Sequence, residues 1–432
     1  MKSRPSILFS ITIAVLISLP ILGGDVACAW SLKEAAAPYK GVTLNILTEY
    51  HPSIDTTEPF IKEFENETGI KVIMDKYRWQ DMITKQEMEL ASGSSHYDIM
   101  FNAPYTSVKY HKAGWAEPLE KYIKDPKLTS PSYFNYGDHF ESFVNLNRAP
   151  DGTLVGLPYS TETALFYYRT DLFDAAGIKE PPKTWEELDR IAPKLHKPPG
   201  HYAFVTRGRA GAGMNMSIWA AFLWSYGGRW FDSKMNPQLD SPQSIAGTNM
   251  YINLLKKWAP PGIPNYGVEE AYTDFAQGKV AMYYESSVWL GLFNDPKRSK
   301  IVGKFRVAPI PKGPHGDIPY PYPTAHSWLL PKTSKNKEAA WFFMQWFNSK
   351  EIVMRSALTG QRGDVPLKSV MADARYNQIY NKEGWADAFA YSGRVAIADY
   401  RPIQLAEYFE VGDRVGLSLS QILWVKKRPR SR

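Results

Sequence analysis

Between residues 42 and 101 three short apolar runs alternate with two helix-like segments, and this rhythm restricts the possible folds more than any other feature of the chain. Residues 42–48 (VTLNILT) are the near-continuous apolar run that a parallel strand buried on both faces requires. A helical pattern over 57–68 is stopped by Gly69. Residues 70–77 form a second strand, 81–91 a second helix ending before Ser92-Gly93, and 97–101 (YDIMF) a third strand. Strands alternating with helices predict an α/β architecture in which helices cover a largely parallel sheet. Ligands of such sheets bind beyond the carboxyl ends of the strands. That rule points to Glu49, Tyr50 and His51 after the first strand, and to residues 102–105, with Asn102 and Tyr105, after the third.

At 432 residues the chain exceeds the size at which one hydrophobic core stops growing, so two domains are expected. Residues 151–195 mark the passage between them. An apolar stretch over 153–157, with Gly152 and Gly156 as turn residues, ends at Pro158, which limits pairing in a sheet centre; a strand resumes at 164–169. A strand interrupted in this way can serve one sheet before the break and another after it. Residues 159–163 then lie at the boundary, where Tyr159 offers a ring face and a hydroxyl and Glu162 an acceptor. Thr184 with Glu187 reads as a helix-capping box, which is scaffold rather than site.

The second domain is expected over about 160–306, with helices at 216–226 and 242–258, a strand at 281–285 and a helix start at 286–292 that places Trp289 near the strand's end. Trp224 faces either core or cleft, and Glu285 and Trp289 serve either ligand or scaffold. Residues 305–310 (FRVAPI), ended by Pro311, read as a second crossing strand, after which 327–330 and a helix over 336–349 rejoin the first domain. Arg401, on a loop between helices, suits either a bidentate polar contact or a surface ion pair.

Residues 1–29 read as a secretory signal: Lys2 and Arg4, an apolar stretch over 7–22, and Ala27-Cys28-Ala29 before Trp30. The alternative is lipid attachment at Cys28, although Asp25 stands where that motif carries an aliphatic residue. Cys28 is the only cysteine, so cleavage after Ala29 excludes disulfides, thiol nucleophiles and thiolate metal sites. The formal charge of +7 is carried largely by the ends, five basic side chains falling in the last seven residues; the nearly neutral body gives no electrostatic grip on nucleic acid. The basic tail, 424–432, reads either as a membrane-binding extension or as a truncated or frame-shifted end.

Catalytic and metal motifs fail one by one. GRAGAG (208–213) is followed by Met214-Asn215 rather than Lys-Ser/Thr, so it reads as a flexible loop rather than a phosphate cradle. No H-E-x-x-H pair and no G-x-S-x-G elbow occurs.

Several phrases together resemble a known family. FENETGIKV, YDIMFNAPYTSVKYHKAGWAEPLEKYI, the run GLPY followed by an aromatic strand, DLF, AG and PPKTWEEL, and then FAQGKVAMYYESSVWLG, VAPIPKGP and LPKTSKNKEAAWFFMQWF are similar in content and order to the family 1 extracytoplasmic solute-binding proteins. These are maltodextrin-binding-protein-like sugar receptors of ABC importers, and the resemblance covers about residues 40–420.

The resemblance implies a two-lobed periplasmic-binding-protein fold. Each lobe is a mainly parallel sheet flanked by helices, the first over 40–157 plus 309–350 and the second over 158–308 plus 351–423, with hinge strands between. It implies a monomeric extracytoplasmic receptor that closes on a sugar, oligosaccharide or polyol and delivers it to permease subunits, with no catalytic residues, cofactor or metal. Ligand contacts are expected from Tyr50, Asn102, Tyr105, Tyr159, Glu162, Trp224, Glu285, Trp289, His326 and Arg401. Residues 324–326 depart from the family, which commonly has glycines there, and the family's C-terminal helical extension is missing. The alternatives are an exported glycoside hydrolase using Glu162 and Glu285, and a ligand-sensing module without transport.

Overall fold

The computed structural model describes residues 30–316 and 318–425. The expected signal segment, 1–29, and residues 426–432 of the basic tail lie outside the described residues. Ten strands make two sheets: β1 (Thr43–Glu49), β2 (Lys71–Tyr77), β3 (Ile99–Asn102), β4 (Gly156–Pro158), β5 (Glu162–Arg169), β6 (Tyr202–Val205), β7 (Val280–Ser286), β8 (Phe305–Ala308), β9 (Pro323–Thr324) and β10 (Ser327–Leu329). The first sheet has the order β2-β1-β3-β10-β4 and the second β6-β7-β5-β8.

The alternating run that opens the chain forms as its periodicity requires. β1 pairs in parallel with β2 over its whole length and with β3, and Gly69 ends the intervening helix in the left-handed region at φ 73°. Both sheets are nevertheless mixed rather than mainly parallel. β4 runs toward the other sheet and β10 returns from it, so β10 lies antiparallel to β3 and β4. In the second sheet β5 is antiparallel to both β7 and β8, and only the β6–β7 pair is parallel. Two helix-flanked mixed sheets of this kind form the bilobed periplasmic-binding-protein fold.

Two apolar clusters pack against the sheets, the second reaching both. Leu44, Ile46, Trp328, Trp341, Phe343 and Phe347 fill the first; Phe166, Trp185, Phe222, Phe275 and Tyr284 belong to the second. Trp185 stacks on Phe222 with centroids 4.1 Å apart, and its helix is capped by the Thr184 hydroxyl, which accepts from the Glu187 N–H. Glu187 in turn accepts from the Lys183 N–H. This helix is scaffold, as its capping pattern predicts.

Between the sheets the chain passes three times. The first passage leaves β4 at Pro158, an edge position where the missing N–H disturbs no central ladder, and enters β5. The second lies at β9 and β10: Thr324 and Pro323 pair with Glu162 and Thr163 before the chain rejoins the first sheet. FRVAPI is therefore not this crossing. β8 stays in the second sheet, Lys312 bridges to Thr184, and the His315 N–H donates to the Ser225 carbonyl, so the chain turns back later than its prolines suggest.

The third passage, residues 361–367, has no sequence signal. The Thr161 N–H donates to the Asp364 carbonyl, and the buried Arg362 guanidinium donates to the Tyr159 carbonyl at 2.6 Å and to Thr57 Oγ1 at 3.1 Å. Beyond it, the helix Trp385–Val395 packs on β5 and β8.

Candidate ligand-binding site

A cavity of about 150 Å³ lies where the three passages meet, lined from both sheets. From the first sheet come Glu49 and Tyr50 at the end of β1, His51 just beyond, Trp79 at the start of the helix after β2, and Tyr105 after β3. These are the carboxyl ends of three parallel strands, where an α/β sheet leaves loops and helix starts free to face a ligand. The passages contribute Glu162, Tyr322, Thr324 and His326. Arg207, Gly213, Ser217, Trp289 and Arg401 complete the far wall.

The floor is a cluster of four buried ionisable residues. His51 Nε2 is 3.2 Å from Glu162 Oε1, and His326 Nε2 is 3.5 Å from the same oxygen. His326 Nδ1 is 2.5 Å from Glu49 Oε1, and the two imidazole centroids are 5.0 Å apart. Burial alone depresses a histidine, but the hydrogen bond that His51 donates to Glu162 and the charges of Glu49, Asp364 and Glu162 carry it up to about 9. His326 is likewise raised: burial opposes protonation, and the charges of Glu49 and Glu162 overcome it. Burial pushes the Glu162 carboxyl up, yet the charge of His326, the hydrogen bond and charge of His51, and the Ser286 hydroxyl, which donates at 2.6 Å, hold it well below the usual range. Two carboxyl side chains and two imidazoles thus share the cavity floor.

The walls are aromatic. The Trp79 indole N–H donates to the Tyr105 hydroxyl at 3.0 Å, and Tyr105 stacks on Tyr408 with centroids 5.5 Å apart. Arg401 lies between Tyr105 and Tyr322, 5.3 and 5.7 Å from their ring centres, and donates to Ser217 Oγ and the Pro323 carbonyl. Trp289 packs on Tyr272 at 4.5 Å. Its indole N–H and the Thr324 hydroxyl are buried at the cavity wall with no hydrogen-bond partner among the described residues.

A sequence profile of bacterial extracellular solute-binding proteins matches residues 51–354. The chain belongs to that family. Among family relatives it is 28% identical to the mannitol-binding protein of Pseudomonas aeruginosa over 316 residues, 71% of this chain and 69% of that one. It is 26% identical over 406 residues to the erythritol/L-threitol-binding protein of Mycolicibacterium smegmatis, covering 87% and 83% of the two chains. The crystal structure of an ABC transporter solute-binding protein from Agrobacterium radiobacter K84 in complex with ribitol superposes with a TM-score of 0.81 at 26% identity, covering 89% of this chain and 94% of that one. The chain is thus homologous to sugar- and polyol-binding receptors of ABC transporters.

Of the residues expected at the site of this family member, Tyr50, Tyr105, Glu162, Trp289, His326 and Arg401 line the cavity, Tyr50 at its exposed rim. Four others do not. Asn102 is buried below the floor, where its amide donates to Ser107, Asn147 and Ser327, each at 3.0 Å, and its carbonyl accepts from Thr106. Tyr159 packs on Trp328 at 4.4 Å in the first core. Trp224 donates to the Tyr400 carbonyl and is covered by the Arg229 guanidinium at 4.4 Å.

Glu285 accepts from Arg207 Nε at 2.6 Å and from the Tyr322 hydroxyl at 3.2 Å. Committed to Arg207 in this way, Glu285 is not the cavity partner of Glu162 that a glycosidase pair requires.

Several wall residues were not singled out in the sequence. Trp79 stands at the end of β2, and the strand-end rule applied there as it was at β1 and β3 finds it. Arg207, Ser217 and Tyr322 carry no such signal, because distant loops bring them in. The GRAGAG segment is not a loose loop: Gly213 closes on Trp79, and the Ala212 N–H donates to Asp413 at 2.8 Å.

Proposed function

We propose that the protein is an extracytoplasmic receptor that captures a small carbohydrate, a linear polyol or a single sugar unit, by closing its lobes around it, and that it presents the closed form to the permease of an ABC importer. The observation that carries this reading is the cavity wall: aromatic faces from both lobes, with buried polar atoms directed by a charged floor. Aromatic rings cover the C–H faces of a polyol, while Glu162, His326 and Arg401 and the otherwise unpaired Trp289 N–H and Thr324 hydroxyl pair with its hydroxyls. Each buried hydroxyl left unpaired costs about 1–3 kcal/mol, so such a wall selects by hydroxyl placement.

At about 150 Å³ the cavity is well below the roughly 300–1,000 Å³ of drug-sized sites, which favours one sugar unit or an alditol over an oligosaccharide. The polyols named for the relatives agree with this size. Lobe closure follows from ligand contacts that exist only when the lobes meet; shifting a 1:99 equilibrium to 99:1 takes about 10⁴-fold tighter binding to the closed form.

Calorimetry against tetritols, pentitols, hexitols, monosaccharides and maltodextrins tests the proposal. One alditol or monosaccharide binding at unit stoichiometry without turnover is the expected result. Silence across the panel with binding of amino acids or peptides instead overturns the substrate class, and release of product from a glycoside overturns the receptor reading.

A further inference from the structure

Glu49 and His51 stand two residues apart at the end of β1, His326 enters from the returning passage before β10, and one ligand-capable atom from each lies within 4.8 Å of the others. All three residues are buried and all three line the cavity. His326 Nδ1 stands 2.5 Å from Glu49 Oε1, yet makes no hydrogen bond of acceptable angle. A second carboxyl group, that of Glu162, reaches both imidazoles, at 3.2 and 3.5 Å. His51 Nδ1 accepts from the Ser53 N–H at 3.2 Å, which fixes the ring and leaves Nε2 as its atom on the cavity side.

We propose that Glu49, His51 and His326 bind a divalent transition-metal ion, Zn²⁺ being the best match, at the floor of the ligand cavity. Two imidazoles and one carboxylate are a donor set that suits Zn²⁺, with a remaining position open to water or to a ligand hydroxyl on the cavity side. The inference rests on the same cavity as the proposed receptor function but not on the identity of the carbohydrate.

The test uses protein dialysed against EDTA and titrated with CoCl₂ and with ZnCl₂, reading visible Co²⁺ absorption and calorimetric stoichiometry, beside a separate polyol titration with and without Zn²⁺. One ion per chain, with a four- or five-coordinate Co²⁺ spectrum, is expected. His326→Asn and His51→Asn should each weaken the site by more than the roughly 10–100-fold that loss of an outer carboxylate costs. Absence of Co²⁺ and Zn²⁺ binding by the wild-type protein overturns the metal site, and carbohydrate capture in EDTA then leaves the receptor reading standing. Metal binding that both variants retain places the ion elsewhere and equally overturns it. Should a variant fail to fold, the wild-type titration and the Co²⁺ spectrum still decide.

Discussion

Gly213 and Trp79 meet across the cleft with no room for a side chain between them: a Cβ on Gly213 would overlap the Trp79 ring. The two belong to opposite walls of the cavity, and the contact continues through Trp79 and Tyr105 to Phe409 and Tyr408. Gly213 does not have a left-handed backbone, so its glycine answers to space rather than to torsion. Gly213→Ala should therefore leave the thermal midpoint of the ligand-free protein nearly unchanged. It should weaken carbohydrate binding about tenfold or more, since overpacking costs about 1–3 kcal/mol and here falls on the closed form. Wild-type affinity in calorimetry would remove this contact from the closing surface.

Glu285 and Arg207 make the opposite case, a charged pair near the site that holds structure. The Glu285 side chain is fully buried and its partner nearly so, and removing one member of such a pair costs roughly 3–5 kcal/mol. Glu285→Gln should lower stability in urea unfolding by that order. A variant of unchanged stability that has lost all binding would make Glu285 a ligand contact after all.

Asn102 and Trp289 separate in the same way. Asn102→Ala breaks four buried hydrogen bonds below the floor and should cost stability, roughly 1–3 kcal/mol or more, while the folded fraction keeps its affinity. Trp289→Ala removes a wall ring and an unpaired indole N–H, and affinity should fall with little change in unfolding midpoint. Paired calorimetry and thermal unfolding read both; the reverse pattern contradicts both assignments.

His139 sets an acid limit. Burial, opposed only in part by the Tyr136 carbonyl and the Asp138 charge, pushes its imidazole down from 6.5 to about 4. The unfolded chain thus takes up a proton below pH 6.5 that the folded chain refuses until about pH 4, so stability is full above that window and falls as pH drops through it. The loss is about 2 kcal/mol by pH 5 and about 3 kcal/mol by pH 4. His139→Gln should flatten this slope in urea titrations from pH 7 to 4.5. An equal slope in the variant assigns the acid loss to other groups.

Much of the fold was legible because local patterns and long-range packing agree. The β1-β2-β3 rhythm, the Gly69 stop, the Thr184 cap and the helix Pro242–Trp258 all follow from short-range rules. Antiparallel insertion of β10 did not, since it depends on where the chain re-enters a sheet. The same division governs the site. Strand-end positions such as Tyr50 and Tyr105 line the cavity as the rule expects, whereas Asn102, at the end of β3, is held away from it by bonds to Ser107, Asn147 and Ser327 that no local pattern shows. The Glu49, His51 and His326 group has no spacing motif, since its members span 277 positions and only the crossing strands assemble them.

Three passages lying side by side, tied by Arg362 to Tyr159 and by Thr161 to Asp364, leave little freedom for the halves to twist or slide. A single strap swivels; three in a row bend about one line. Motion confined to one arc turns the length of a guest into an angle: a molecule too long for the cavity stops the swing short, and one too short lets it finish without full contact. On the receptor reading proposed above, a permease that senses only how far the halves have swung would thereby be told the size of what it is about to receive.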